Sequence, residues 1–147
     1  MIITELFKLF ERDLNKLINE IENYQNEEFL WLISEDIRNS GGNLALHLVG
    51  NLRTYIGKNL GGFEYIRNRE VEFSAKNIPK ETLLSMIKET KIIILTTLES
   101  LNIKQLEGIY TEEILGYEMT TQYFLIHLYG HLSYHLGQIN YHRRIFN

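Results

Sequence analysis

The sequence predicts an all-α protein, a four-helix bundle with long crossover connections, in a single domain over residues 1–147. Three observations predict it. Four long segments repeat apolar residues at helical spacing. Two connections between them are far longer than a simple helix turn needs. No internal repeat, low-complexity tract or Gly/Ser/Pro-rich linker divides the chain, and 147 residues suffice for one genuine core.

The first helix is read over residues 2–24. Ile3, Leu6, Phe7, Phe10, Leu14, Leu17, Ile18 and Ile21 form its apolar stripe, with Lys8, Glu11, Arg12, Asn15 and Lys16 opposite. The polar run Gln25–Glu28 ends it, and FLWLI at 29–33 reads as a loop segment or single turn packed on the bundle. Asn39-Ser40-Gly41-Gly42 is a breaker and cap cluster. A second helix follows from about Asn43 to Leu60, closed by Gly61-Gly62, with Leu44, Leu48, Leu52, Tyr55 and Ile56 on its apolar face. His47, Asn51 and Thr54 lie beside that face. Gly50 and Gly57 each cost about 1 kcal/mol of propensity against alanine, which points to close approach of a neighbouring helix or ligand.

Residues 61–78 are charged and aromatic together, and read as a surface loop, a lid over a site or a dimer contact. Pro79, the only proline, suits the first turn of a third helix with Leu83, Leu84, Ile87, Ile94, Leu98 and Leu101 as its core face and Asn102 as its stop. Residues 103–119 have no clean period and suit a short extended pair or an irregular crossover. Thr120 or Thr121 then caps the last helix.

Composition excludes several function classes. A formal charge of −4 argues against a general nucleic-acid or anionic-membrane binder. No apolar run approaches the ~18 residues of a membrane span, and the mixed charges of MIITELFKLFERDLNK argue against a secretory signal. With no cysteine there can be no disulfide, thiolate ligand or cysteine nucleophile. A cytoplasmic location is expected, and any metal must use histidine, carboxylate or backbone oxygen.

Four of the five histidines fall in the last segment: His127, His131, His135 and His142. The first three stand at four-residue steps and so share one helical face. With a rise of ~1.5 Å per residue, neighbours in this stripe lie about 6 Å apart and can meet at one ion, whereas His127 and His135, about 12 Å apart, cannot. Two ligand pairs are open, His127 with His131 or His131 with His135. His47 is the only other histidine placed to add a third ligand from a facing helix. One histidine on an apolar face is usually a hydrogen-bonded core residue, but three in register plus His47 favour a metal. His142, among Tyr141, Arg143 and Arg144, reads as structural or exposed.

The segment HLSYHLGQI, together with a lone histidine in an earlier helix, resembles the DinB-like superfamily of four-helix-bundle proteins across essentially the whole chain. The resemblance is nearest to the subgroup with an HLVGNLRTYIGKNLGGFEYIRNREVEF-type second helix and loop. It implies a divalent metal held by His47, His131 and His135. The register of Gly137-Gln138-Ile139 leaves His127 outside the ligand set, one turn before the site. The superfamily includes metal-dependent transferases that use small thiols such as bacillithiol, mycothiol or glutathione, alongside many members without known activity.

Three imidazoles leave a divalent ion its full charge and an open position for water or substrate. Zinc or nickel suits them, and iron is compatible. Gln138 is placed to orient a ligand or bound water. The resemblance implies, as the expected function, a divalent-metal-dependent transferase that conjugates a small thiol cosubstrate to an electrophilic small-molecule substrate. A metal-dependent hydrolase is the alternative, but it wants a carboxylate base near the ion, and only loop residues such as Glu64, Glu112 or Glu118 could reach. A third reading is a non-catalytic metal-binding stress or interaction protein. Exposed aromatics in 63–73 and 123–146 suit a homodimer.

Overall fold

The computed structural model describes residues 1–147 and is all-helical. Helix α1 spans Ile2–Glu22, α2 Gly41–Leu52, α3 Arg69–Ser74, α4 Lys80–Ser100, α5 Ile103–Glu107 and α6 Thr121–Phe146. A 3₁₀ turn, Glu27–Trp31, follows α1, and a π-helical stretch, Arg53–Lys58, continues α2. There is no strand, only one isolated bridge between Ile109 and Thr120. No helix is long and apolar enough to cross a membrane.

The core follows from the periodicity. In α1, Leu6, Phe10, Leu14, Leu17 and Ile21 are buried while Ile3, Phe7 and Ile18 pack against its edge. In α4 the buried apolar residues are Leu83, Ile87, Ile93, Ile94 and Leu98. Each large side chain taken fully out of water contributes roughly 1.5–3 kcal/mol. Helix α1 packs on α4 and α6, and α2 packs on the same two helices. All twelve residues of α2 are buried, which explains its nearly unbroken apolar composition.

Several boundaries differ from the sequence reading. Gly41 and Gly42 form the first turn of α2, and Ser40 is the cap, its Oγ accepting from the Asn43 amide at 3.1 Å. Both glycines are required by what lies against them. A Cβ on Gly42 would come within 2.7 Å of the Trp31 indole, and one on Gly41 would overlap the Tyr24 hydroxyl. Pro79 stands just outside α4 as its N-cap. Asn102, expected only to stop that helix, also opens α5 through a capping box with Gln105. Residues 103–119 form an irregular crossover with the short α5 in it. Thr120 caps α6, accepting from the Tyr123 amide at 3.1 Å.

Helices α2 and α6 run antiparallel. Gly41 lies against His142, His47 against His131 and His135, and the Tyr55 ring against Phe124. This register carries His47 to the histidine stripe.

Candidate metal centre

Three imidazoles converge where α2 crosses α6. His47 Nε2 lies 3.1 Å from His131 Nε2, and His135 Nε2 lies 3.2 Å from the same atom. The ligand atoms of His47, His131 and His135 all fall within 4.8 Å of one another. His47 is buried, and the other two are half-buried.

Hydrogen bonds on the far side of two rings decide which nitrogen faces inward. Glu72 Oε1 accepts from His47 Nδ1 at 3.0 Å, and Gln138 Oε1 accepts from His135 Nδ1 at 2.7 Å. Each Nδ1 thus carries the proton, and each Nε2 presents a lone pair to the centre. His131 Nε2 has at most one proton to share between the two lone pairs beside it. A cation satisfies all three nitrogens at once. Nitrogens about 2.1 Å from one ion stand about 3.0 Å apart at a right angle and about 3.4 Å apart at the tetrahedral angle, and the two observed separations fall between. The cluster could hold a metal ion.

The electrostatics favour the neutral, ligating form of His131 and His135. Burial, reinforced by its histidine neighbours, pushes the His131 pKa down to about 3. Burial also lowers His135, against the opposing effect of its hydrogen bond to Gln138. Glu72 is buried, which alone would raise its pKa. Its hydrogen bonds from His47 and Arg67 outweigh that and hold it below the usual carboxylate range. Arg67 grips the carboxylate with Nε to Oε2 at 2.8 Å and Nη2 to Oε1 at 3.0 Å.

Over residues 3–147 the sequence matches the family described as "Protein of unknown function (DUF1572)". The chain belongs to the DUF1572 family. Among solved structures, this DUF1572 chain is similar to a conserved protein from Enterococcus faecalis, with a TM-score of 0.77 and 13% identity over 97% of this chain and 95% of that one. At that identity the likeness is one of fold. No curated protein matches.

The residues singled out in this DUF1572 sequence divide clearly. His47, His131 and His135 come together, and Gln138 touches the set through His135. Asn51 is buried one turn beyond His47, and its Oδ1 has no hydrogen-bond partner. The Nδ1 of His131 is likewise buried and unpaired. His127 is exposed and stacks on Phe124, with ring centroids 5.9 Å apart, outside the cluster. His142 is structural. It accepts from the Tyr24 hydroxyl at Nδ1, at 2.6 Å, and donates from Nε2 to the Leu32 carbonyl at 2.8 Å.

The sequence offers no carboxylate on the helical faces of the three histidines, and only loop residues such as Glu64, Glu112 or Glu118 could reach them. The first and last are exposed, and Glu112 takes a hydrogen bond from Asn59. Glu72 arrives instead, on the short helix α3, with Arg67 and Phe73 beside it. The signal was present but faint: Asn68 is an N-cap followed by acidic residues suited to a helix start.

Proposed function

We propose that this protein binds one divalent metal through His47, His131 and His135 and uses it to conjugate a small thiol to an electrophilic small molecule. The fold is read with it, as a four-helix bundle of the DinB-like type with α1, α2, α4 and α6 as its members. The observation that carries the metal reading is the convergence of three Nε2 atoms at 3.1 and 3.2 Å, with two of the far-side protons already committed.

The choice of reaction rests on Glu72. A hydrolase activating water wants a free carboxylate base, whereas both oxygens of Glu72 are engaged by Arg67 and His47. A thiol needs less help, because it ionises far more readily than water. A divalent ion held by three neutral imidazoles supplies Lewis acidity that favours a thiolate over a thiol. In the transfer, sulfur forms a bond to the electrophilic carbon, the leaving group departs with its electron pair, and the thiol proton passes to solvent. The thiol must come from a small molecule, since the chain has no cysteine. Zinc or nickel is the expected metal, with iron compatible.

A cleft of about 560 Å³ between residues 35–39 and the second half of α6 is lined by none of the three ligand histidines but adjoins them through Gln138, and it is the proposed place for a small-molecule substrate. Gln138 belongs both to its wall and to the hydrogen bond on His135. A homodimer is proposed on the outer face of α6. There Tyr123, Ile126, Tyr134, Tyr141 and Ile145 are exposed, and Gly130 and Gly137 leave open space between them. A gel-filtration mass of one chain would remove the dimer.

The reaction is tested by offering the zinc- or nickel-loaded protein a panel of small thiols with a chromogenic aryl halide. Thioether formation should accelerate with at least one thiol, and chelation or His131→Ala should abolish it. A protein that binds metal stoichiometrically yet accelerates none of them would overturn the transferase reading.

A further inference from the structure

We propose that loop 61–78 is a working part of the metal centre, with Glu72 as a positioning residue, so that metal binding at the histidines and docking of this loop on α2 stabilise each other. The inference rests on the metal reading above and concerns residues that reading does not use as ligands.

The loop is fastened to the very helix that carries His47. Asn43, in the first turn of α2, donates its side-chain amide to the backbone carbonyls of Glu72 at 3.0 Å and Ala75 at 2.8 Å. The Phe73 ring lies against the His47 imidazole with centroids 4.9 Å apart. Between these two contacts the Glu72 side chain turns inward and becomes only 5% exposed. An uncompensated carboxylate is expensive at such depth. Here Arg67 forks onto it, and Arg67 is itself placed by Tyr55, whose ring lies under the guanidinium.

Gly50 is the notch that admits this pair. A Cβ there would overlap Glu72 Oε2 and come within 3.2 Å of Arg67 Nε. The glycine costs α2 helix propensity, and the occupant of the space is the carboxylate of Glu72, carried on the short helix α3 within the loop. What the carboxylate does follows from its partner atom. By accepting the His47 Nδ1 proton it fixes the tautomer whose Nε2 lone pair faces His131. It also makes that nitrogen a better donor to a cation. Because binding linkage is reciprocal, whatever the docked loop adds to metal affinity, the metal returns to the docked loop by the same factor. Loss of such an outer carboxylate typically weakens metal binding about 10- to 100-fold.

The test uses the full chain with zinc as the probe. Zinc affinity is measured by chelator competition for the wild type, Glu72→Gln and Gly50→Ala, and amide hydrogen exchange of residues 61–78 is followed with and without zinc. Both variants should bind zinc about 10- to 100-fold more weakly, and zinc should slow exchange in the wild-type loop. Exposed Glu70→Gln, on the same short helix, should change neither. Wild-type affinity in both Glu72→Gln and Gly50→Ala would overturn this inference while leaving the metal centre intact, and so would loop exchange indifferent to zinc in the wild-type protein. A wild-type chain that binds no zinc or nickel would instead overturn the metal reading itself.

Discussion

His47 and His131, 84 residues apart in sequence, place their Nε2 atoms 3.1 Å from each other across the α2–α6 interface. Neither helix alone can make this contact. It exists because the two helices run antiparallel in a register that also sets Gly41 by His142 and Tyr55 by Phe124. A shift of one helical turn would oppose His47 either to His127 and His131 or to His135 and Ile139, so packing along the whole interface fixes the site.

His127 and Gln138 flank the cluster and should behave differently when removed. His127→Ala should leave metal stoichiometry and affinity within about twofold, because the ring is exposed and stacks only on Phe124. Gln138→Ala should retain one metal per chain but weaken it roughly tenfold, since His135 loses the acceptor of its Nδ1 proton. Chelator-competition titrations of the two variants check both statements.

Acid should destabilise the metal-free protein before it reaches the carboxylate range. His131 is held neutral in the folded chain, with its pKa pushed down to about 3. An unfolded chain with an ordinary histidine pKa near 6.5 takes up that proton first as pH falls. Stability is therefore complete above the ordinary histidine range and declines as pH drops towards about 3. His135 and His142, both lowered by burial, act in the same sense. Urea midpoints of chelator-treated protein at pH 7.5 and pH 5 should show the lower value at pH 5. Equal midpoints would contradict this assignment of neutral buried rings.

Metal should stabilise the fold by mass action. At free metal about a thousandfold above its Kd, the native state gains about 4 kcal/mol. For a chain of this size that raises Tm by roughly 8–16 °C. Melting curves with and without a chelator measure it.

The helices were legible because each buries one stripe, and a stripe repeats in the sequence. Leu6, Phe10, Leu14 and Leu17 in α1 announce both the helix and the face it buries. The ligand histidines were legible for a related reason: four-residue spacing is a property of one helix, and the resemblance fixed which pair in the stripe to use. Glu72 was not legible as a partner of His47. Its placement depends on two contacts distant in sequence, the Asn43 amide and the Gly50 notch, and on the fork of Arg67 five residues before it, and none has a period. Gly50 signals a place of close approach in the sequence, as the fold shows, but nothing local says that the Glu72 carboxylate is what approaches. Gly41 and Gly42 read as breakers in the sequence because glycine usually is one. In the fold they begin α2, where Tyr24 and Trp31 leave no room for a side chain.

The central claim, one metal on three histidines, is tested most directly by elemental analysis of the purified protein beside its His131→Ala variant. His131 Nε2 is the atom from which both separations to the other rings are measured, so its removal leaves no closed ligand set. The wild type should carry about one zinc, nickel or iron per chain, and His131→Ala should carry close to none. A wild-type protein without stoichiometric metal after metal loading, or a variant that keeps its full complement, would contradict the claim.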